Sequence, residues 1–446
     1  MKINITSITL FLLFTVIHFF PSCSCTGGNS AWNDSDRELA RSILNDRTLS
    51  VVDSMGHALL RKGYNAGSGY NQTWIRDFNT FIETALDVAA PADVRKALMT
   101  FFLMQQENGG IVDGYVPEED FNWQDDYTYT SPNAPGYIGF KNTVETDQET
   151  SLIQAVRKYI DVTGDKDILS EDLAGKTALE RLNDAVDYLM REKYDPGTGL
   201  LTGALTSDWG DVENDPENCV DIGPGSTVTV DIYDNAMMVI ALHDLAYLDE
   251  AGRKKWVSME DSFRKNIRKH LWDRKKGRFI PHLYPDGKPE DVNFDESRIY
   301  YHGGTAIAIE AGLLSKEEIR KANSDMLANV KASGMPTIGL TVYPPYPEGF
   351  FPGGMKNLYN YQNGGDWTWF GGRMIQQLIV NGFVADAYHE IRPMLDRVIV
   401  NGDFYEWYGP GGKPSGSAAF KGSAGVLCKA ISLLRDWAET KEAGQD

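Results

Sequence analysis

Helix packing in this chain is set by the segment Ile232-Tyr233-Asp234-Asn235-Ala236-Met237-Met238-Val239-Ile240-Ala241-Leu242. Most of its residues are apolar or small, which predicts a helix that is buried on all sides. The helical segment after it is apolar along one stripe only and carries the charged run Glu260-Asp261-Ser262-Phe263-Arg264-Lys265-Asn266-Ile267-Arg268-Lys269. A buried helix followed by a half-exposed one indicates a hairpin with an inner and an outer member.

The same alternation recurs along the whole chain. The predicted inner helices are Trp74–Val88, Glu145–Thr163, Asp231–Tyr247, Gly303–Ala311, Asp366–Asn381 and Phe420–Ala438. Their outer partners are Ala92–Gln106, Ala178–Lys193, Lys255–Trp272, Lys316–Lys331 and Val384–Val400, with Asp34–Leu60 pairing with the last inner helix. We therefore predict an all-α (α/α)6 toroid. An open solenoid is the alternative, but it would show a shorter and more regular repeat.

Long loops rich in glycine, proline and aromatic residues separate the hairpins. They are Asn108–Gly139, Leu200–Thr229, Arg278–His302, Met335–Gly365 and Gly402–Gly416. Loops of this length in a compact domain are usually functional. Because each one precedes an inner helix, we expect all of them to gather at one mouth of the ring.

Composition narrows the range of ligands. The formal net charge of −20 argues against nucleic acid, an anionic membrane surface and polyanionic substrates. Ten Trp and 21 Tyr residues can supply flat surfaces for stacking on sugars. We expect a neutral carbohydrate substrate, a monomeric protein and no cofactor.

The N-terminal segment resembles an export signal. Met1 and Lys2 are followed by an apolar run that ends at Pro21-Ser22-Cys23-Ser24-Cys25. We interpret residues 1–25 as a signal peptide and residues 26–446 as a single catalytic domain. Either Cys23 or Cys25 is the lipid-attachment cysteine of a lipoprotein, or the signal is an ordinary cleavable one. The protein is then periplasmic or anchored to the outer membrane, and its only membrane contact is the lipid.

Two acidic turns hold the candidate catalytic residues. Glu406 lies in Asn401-Gly402-Asp403-Phe404-Tyr405-Glu406-Trp407-Tyr408-Gly409-Pro410-Gly411-Gly412, and the earlier turn is Leu205-Thr206-Ser207-Asp208-Trp209-Gly210-Asp211. Two carboxyl groups brought together from distant loops are what glycoside hydrolysis requires. Glu406 stands among aromatic residues, so a positive or hydrogen-bonding neighbour must keep it ionised, with Lys421 and Arg373 as candidates.

Three further segments supply candidate sugar-binding residues. Trp74, Arg76 and Asp77 begin the first inner helix, although Arg76 and Asp77 could form only an ion pair there. Asp147 and Gln148 open the second inner helix, where they either cap it or line the pocket. The paired glycines of Asn363-Gly364-Gly365-Asp366-Trp367 can bring the backbone close to a ligand. From the acidic turns we add Asp208, Trp209, Tyr405 and Trp407.

Metal chemistry is not expected at this site. The seven histidines show no His-x-x-x-His or Glu-x-x-His spacing, so a catalytic zinc is not predicted. An EF-hand loop starting at Asp208 would need glycine at its sixth position, where Glu213 stands.

Several of these segments resemble a known group of enzymes. Tyr70-Asn71-Gln72-Thr73-Trp74-Ile75-Arg76-Asp77-Phe78 is similar to the Asp-Gln-x-x-Ile-Arg-Asp-Phe segment of neutral/alkaline invertases. Tyr361-Gln362-Asn363-Gly364-Gly365-Asp366-Trp367 and Phe404-Tyr405-Glu406-Trp407-Tyr408-Gly409 resemble their His-Asn-Gly-Gly-Ser-Trp and Pro-Glu-Tyr-Tyr-Asp-Gly segments. Similar segments occur in mannosylglycerate hydrolases, glucoamylases and debranching-type glycosidases, all of them (α/α)6 toroids.

The resemblance implies an inverting glycosidase that acts on a neutral, gluco- or manno-configured sugar, most simply an α-linked one. It assigns the general acid to Asp211, which follows Trp209 as the acid of debranching-type enzymes follows a Trp, and the general base to Glu406. It assigns Arg76 and Asp77 to the hydroxyls of the cleaved sugar. Asp208 remains an alternative acid.

Two other classes of function use the same toroid. Sugar epimerases and polysaccharide lyases rely on His, Tyr or Arg, for which His282 and His302 are the loop candidates. A non-catalytic glycan-binding surface protein would have lost one of the two carboxylates.

Overall fold

The computed structural model describes residues 34–121, 127–290 and 292–443. The predicted signal peptide, with Cys23 and Cys25, lies outside these described residues. Within them the chain forms helices α1 Asp34–Leu44, α2 Arg47–Leu60, α3 Ile75–Leu86, α4 Pro91–Leu103, α5 Asp147–Thr163, α6 Ala178–Glu192, α7 Ile232–Leu248, α8 Arg253–His270, α9 His302–Glu310, α10 Lys316–Ser333, α11 Thr368–Val380, α12 Val384–Asn401 and α13 Lys421–Ala443. Short 3-10 turns occur at Glu118–Asp120, Lys166–Ser170, Glu296–Arg298, Gly353–Lys356 and Pro410–Gly412.

Six of these helices form a closed inner ring. Helices α3, α5, α7, α9, α11 and α13 each contact the next, and α13 contacts α3. Helices α4, α6, α8, α10 and α12 follow the inner helices as their outer partners, while α1 and α2 pack on α13. The predicted (α/α)6 toroid is confirmed, and the open solenoid is excluded because the last inner helix returns to the first.

Burial explains which helices lie inside. In α7, 13 of 17 residues are buried, whereas α8 buries only Trp256, Glu260, Phe263 and Ile267 along one stripe. Outer helices α6 and α10 begin with capping boxes, in which a Ser or Thr and a Glu three residues later exchange hydrogen bonds with the backbone. The more apolar helices therefore form the inner layer of the ring, and the more charged helices form the outer layer.

The first helical segment differs from its prediction. Instead of one helix over Asp34–Leu60, the chain forms α1 and α2 with a break at Asn45 and Asp46. The Asp46 carboxylate accepts a hydrogen bond of 2.8 Å from the backbone N–H of Thr48 and so caps a new helix. A short acidic side chain favours such a cap over continuation of the helix before it.

Short strands lie at one end of the ring. They are β1 Thr73–Trp74, β2 Gly114–Pro117, β3 Thr128–Tyr129, β4 Tyr137–Phe140, β5 Tyr194–Asp195, β6 Leu200–Leu201, β7 Gly203–Ala204, β8 Val228–Thr229, β9 Trp272–Asp273, β10 Arg278–Phe279, β11 Tyr300–Tyr301, β12 Val342–Tyr343, β13 Trp407–Gly409 and β14 Lys413–Ser415. Four form an antiparallel sheet in the order β1-β2-β4-β3, and the others pair two by two. All of them lie in segments that lead into an inner helix.

No helix in the described ranges combines the length and the apolar character needed to cross a bilayer. Cys219 and Cys428 form no disulfide. The fold is held by its apolar core.

Candidate active site

A cavity of about 210 Å³ opens where the loops gather. The segments that lead into α3, α5, α7, α11 and α13 all contribute to it, whereas the described lining contains no residue from the loop before α9. Of the predicted site residues, Trp74, Arg76, Asp77, Trp209, Asp211, Trp367 and Glu406 line it. The other lining residues are Tyr70, Asp113, Tyr127, Asn142, Val212, Val220, Tyr361, Gln362, Trp369 and Phe420.

Glu406 is held by neutral donors on both carboxylate oxygens. The Tyr70 hydroxyl donates to Oε1 at 2.9 Å, and the backbone N–H of Ser417 donates to Oε2 at 2.8 Å. Glu406 is only 4% exposed. Burial raises its pKa to about 7, and the nearby charge of Asp211 acts in the same direction. Both hydrogen bonds favour the ionised form and oppose this rise.

Neither cation predicted to assist Glu406 contacts it. The Lys421 ammonium donates to the backbone and side-chain oxygens of Asn65, each at 2.7 Å. Arg373 forms an ion pair with Glu310 at 2.9 Å. Hydrogen bonds, not a neighbouring charge, therefore oppose the effect of burial on Glu406.

Gly416 makes room for this carboxylate. Its φ is +67°, in the left-handed region where side chains are strained, and a Cβ built on it would overlap Oε2 of Glu406. The backbone can approach Glu406 this closely only because residue 416 is glycine.

Asp211 lies in a different environment. Its side chain is 24% exposed, Oδ1 accepts a hydrogen bond of 2.7 Å from the Gln362 side chain, and Oδ2 is 3.8 Å from Nη1 of Arg76. Gln362 also holds the backbone of the turn, because its carbonyl accepts a 2.9 Å hydrogen bond from the Ser207 hydroxyl. One glutamine thus fixes both the turn and the carboxylate that the turn presents.

Asp208 faces away from the cavity lining. With φ of +59°, it directs its carboxylate to the N-terminus of α9, where it accepts the N–H groups of Gly303 and Gly304 at 2.7 and 2.8 Å. This is an interaction that stabilises a helix start. Of the two candidate acids, only Asp211 lines the cavity.

Arg76 is enclosed by carboxylates. Its Nε donates to Asp147 at 2.6 Å, and its Nη2 donates to Glu145 and lies 3.6 Å from Asp113. Burial works against the charge, but these acids and Asp211 hold the pKa of Arg76 above its ordinary value. Asp147 also accepts from the Tyr233 hydroxyl at 2.6 Å, so it positions Arg76 and does not line the cavity. Gln148 accepts a 2.8 Å hydrogen bond from Lys141 and is likewise absent from the lining.

Asp77 and Asp113 add two more carboxylates to the wall. Burial raises the pKa of each to about 7, partly offset by the charge of Arg76. Oδ1 of Asp113 is buried and has no hydrogen-bond partner among the described residues. Such an acceptor matches a donor group on a bound molecule.

Aromatic rings form much of the remaining wall. The Trp209 ring packs edge to face against Trp367 at 4.6 Å and Trp369 at 5.2 Å between centroids. The indole N–H of Trp209 is buried without an acceptor in the described part of the chain. An aromatic wall with an unpaired donor suits the apolar face and hydroxyl groups of a sugar.

The remaining predicted residues support the loops. Asp366 pairs with Arg397 at 2.9 Å, and Asn363 accepts the N–H of Tyr346 at 2.8 Å. Other members of this group are Gly364 with φ of +89°, Tyr405, whose carbonyl accepts from Ser423, and Trp407, whose ring packs 6.3 Å from that of Tyr361. None of them lines the cavity.

Three lining residues that matter for the chemistry escaped the sequence interpretation. Tyr70 and Gln362 lie in the same motifs as the predicted site residues, a few positions away from them. Asp113 follows Ile111-Val112 and precedes Gly114, and a single acid between apolar residues and a glycine in a long loop is a usable signal. The described lining contains no His or Cys, which are the usual ligands of catalytic zinc.

A family model described as the glycosyl hydrolase 94 superfamily, catalytic domain, matches residues 47–365, which is more than half of the chain. The chain belongs to the glycosyl hydrolase 94 superfamily. Membership and the toroid together support an enzyme that acts on glycosidic bonds, as the sequence resemblance implied. Asp211 and Gln362 fall inside the matched region, and Glu406 falls after it.

The superfamily match is accompanied by more distant similarities. N,N'-diacetylchitobiose phosphorylase of Vibrio furnissii is 25% identical over 194 residues, which cover 41% of this chain and 22% of that protein. The chain thus matches about a fifth of its curated relative's length. Mannosylglycerate hydrolase of Thermus thermophilus, in complex with glucose, superposes with a TM-score of 0.60 at 16% identity, covering 86% of this chain and 99% of the other. A rhamnosidase of Klebsiella oxytoca gives 0.57 at 13% identity, covering 86% and 63%. Both structures show the shared fold.

Proposed function

We propose that this protein is an inverting glycoside hydrolase that removes a neutral sugar from an oligosaccharide or glycoside. Asp211 is the general acid that protonates the leaving oxygen, and Glu406 is the general base that activates water. The observation that carries the proposal is that these two carboxylates, from separate hairpins, line one aromatic cavity.

The pattern of hydrogen bonds supports the division of roles. A backbone N–H can only donate, so Oε2 of Glu406 is an acceptor, and Oε1 accepts from Tyr70. Both contacts suit a carboxylate that waits to accept a proton from water. On Asp211, Gln362 occupies Oδ1, which leaves Oδ2 as the oxygen that carries the proton to the leaving group.

The charge of the wall supports a neutral substrate. Asp77, Asp113, Asp211 and Glu406 all line the cavity, and Arg76 is the one cation among the described lining residues. Arg76 is already paired with carboxylates. A uronate or sugar phosphate would meet repulsion, whereas sugar hydroxyls can donate to these acids. We propose a gluco- or manno-configured sugar in α linkage.

Phosphorolysis is the second candidate, since the curated relative is named as a phosphorylase. A phosphorylase must hold an inorganic phosphate dianion beside the cleaved bond, which calls for free cationic or N–H donors. The pairing of Arg76 and the surplus of carboxylates in the described lining favour water over phosphate as the attacking group.

One experiment decides between these reactions. A panel of α- and β-linked gluco- and manno-disaccharides is incubated with the enzyme, with and without inorganic phosphate, and the products are followed by NMR. We expect a free reducing sugar, first formed with the anomeric configuration opposite to that of the substrate, at a rate independent of phosphate. A sugar 1-phosphate would establish phosphorolysis, and retained configuration would remove the inverting mechanism.

The epimerase and lyase alternatives lose their two histidine candidates. His282 is bound to Glu296 at 2.7 Å and His302 contacts Asn329 at 3.0 Å, and neither lines the cavity. Adding a uronate-containing oligosaccharide to the same panel tests these alternatives, because a lyase yields a product that absorbs in the ultraviolet and an epimerase releases no new reducing end.

We also propose that the protein is exported and acts in the periplasm or at the outer membrane. The basic start and apolar run of residues 1–25 support this proposal. The mass of the protein isolated from its own cells decides how the signal is processed. A chain that begins at Cys23 or Cys25 with added acyl groups would be a lipoprotein, and retention of Met1 would contradict export.

A further inference from the structure

A second cavity, of about 310 Å³, lies on another part of the ring and shares no described lining residue with the first. Residues of α2, α3 and α13 contribute most of its wall. The lining residues are Asp53, His57, Glu83, Thr84, Asp87, Val162, Cys428, Lys429, Ser432, Arg435, Asp436 and Glu439. Acids outnumber basic residues there, and a cysteine and a histidine stand among them.

Three side chains in this cavity could each offer a different kind of ligand atom to a metal ion. Asp53 and His57 are four residues apart on α2, and thus on one face of the helix, while Cys428 approaches from α13. One ligand atom from each of the three lies within 4.8 Å of the others. Oxygen, imidazole nitrogen and sulfur form the donor set that Zn²⁺ prefers.

The neighbours of these three residues are arranged as outer partners of a metal site. Nδ1 of His57 is 2.9 Å from the backbone carbonyl oxygen of Asp53 and 3.2 Å from its Oδ1, while Nε2 is 3.4 Å from the Asp87 carboxylate. A metal-bound histidine almost always presents its other ring nitrogen to such a group. The second oxygen of Asp53 accepts a hydrogen bond of 2.7 Å from Arg435, which orients that carboxylate in turn.

We propose that Asp53, His57 and Cys428 bind one divalent transition-metal ion of the zinc class, with Asp87 and Arg435 as its outer partners. On binding, the Cys428 thiol gives up its proton to solvent. Nδ1 of His57 exchanges its contact with the Asp53 carbonyl for the metal, while Nε2–H donates to Asp87. Water from the cavity supplies the fourth ligand. The ion joins α2 to α13, and so fastens the first helices of the ring to the last.

The cobalt(II) spectrum of the full chain tests this site directly. The protein is treated with a chelator and titrated with Co²⁺ alone under reducing conditions. We expect one high-affinity Co²⁺ per chain with a near-ultraviolet charge-transfer band from a cobalt–sulfur bond. Cys428→Ser should abolish the band, and the matched control Cys219→Ser should keep it. Persistence of the band in Cys428→Ser, or its absence from the unmodified chain, would overturn the proposal.

Zinc affinity provides a second readout. Asp87→Asn should weaken Zn²⁺ binding by about 10-fold to 100-fold, as loss of an outer partner does. Saturating Zn²⁺ should raise the melting temperature of the unmodified chain but not of Cys428→Ser. An equal rise in both proteins would place the zinc elsewhere and contradict the proposal. Because this cavity is separate from the first, Cys428→Ser should retain glycosidase activity.

Discussion

The two carboxylates that we propose as catalytic, Glu406 and Asp211, are held in contrasting ways. Glu406 is 4% exposed, accepts hydrogen bonds only from neutral groups, and has its pKa raised by burial to about 7. The Asp211 side chain is 24% exposed, and it lies between the Gln362 amide and the Arg76 guanidinium. The hairpin around Glu406 therefore desolvates its acid, while the turn around Asp211 surrounds its acid with donors.

This difference matters because burial raises the pKa of Glu406 to about 7, which favours the protonated form of Glu406 below that pH. A base must first lose that proton, so the proposed role of Glu406 carries a definite pH requirement. The reverse assignment, with Glu406 as the acid, carries the opposite requirement. The two assignments of acid and base therefore predict opposite effects of pH on activity, which can be measured.

The largest effect should come from removing either carboxylate. Glu406→Gln and Asp211→Asn should each lower turnover of a natural glycoside by ~10³-fold or more, because inversion needs both groups. With a glycosyl fluoride, whose leaving group needs no proton, Asp211→Asn should recover much of its rate and Glu406→Gln should not. Rescue of Glu406→Gln instead would exchange the two roles.

The pH profile should show which way Glu406 titrates. If it is the base, kcat/KM of the free enzyme should show a limb that rises with pH and has its midpoint near 7, because the form with protonated Glu406 is inactive. A decline above pH 7 with no loss below it would mark Glu406 as the acid. Tyr70→Phe removes a donor to the ionised carboxylate, so the rising limb should move up by roughly one pH unit.

The matched control for Tyr70→Phe is Tyr405→Phe. Tyr405 adjoins Glu406 in sequence, but it does not line the cavity. Removing the Tyr405 hydroxyl should leave the rising limb of the pH profile at the same pH. An equal shift in both variants would exclude a specific effect of the Tyr70 hydroxyl.

A smaller effect is expected at Gln362. Gln362→Met removes the donor to Oδ1 of Asp211, and kcat on a natural glycoside should fall by about 10-fold with little change in KM. The defect should shrink on the fluoride, since positioning of the acid no longer matters there. Gln376→Met, at a glutamine that donates to Val426 outside the cavity, is the control and should be active. A loss that is equal on both substrates would mean that Gln362 acts on binding or folding.

The smallest effect on turnover should be at Asp208. Asp208→Asn keeps a residue that tolerates positive φ but loses one acceptor for the N–H groups of α9. We expect about 1 kcal/mol lower stability in urea unfolding and turnover within about threefold of the unmodified chain. A loss as large as that of Asp211→Asn would restore Asp208 as a candidate acid.

Much of the ring could be predicted from the sequence, because buried helices are rich in apolar residues and outer helices are apolar on one face only. The apolar character of α7 and the single stripe of α8 are visible residue by residue. The apolar pattern does not predict the break between α1 and α2, because this break depends on a hydrogen bond from one backbone N–H to the side chain of Asp46.

The cavity could be predicted only in part. Sequence position shows which end of the ring an acid occupies, but not the direction of its side chain. Asp147 and Asp366 stand at the correct end and turn to Arg76 and Arg397 instead of the cavity. Asp208 and Asp211 share one turn, yet Asp208, which has a positive φ, turns to the start of α9, while Asp211 turns to Gln362.

Closure of the ring by α13 has a consequence for synthesis. Helices α1 and α13 lie side by side, with ion pairs between Arg41 and Glu442 at 3.3 Å and between Asp36 and Lys441 at 3.6 Å. During translation, Asp211 and five inner helices emerge from the ribosome before Glu406 and α13. On the proposed mechanism, a nascent chain that ends before Glu406 carries Asp211 without its catalytic partner and is expected to be inactive. The same mechanism predicts that activity appears only after α13 packs against α1, α2 and α3, so completion of the ring would determine when the enzyme becomes active.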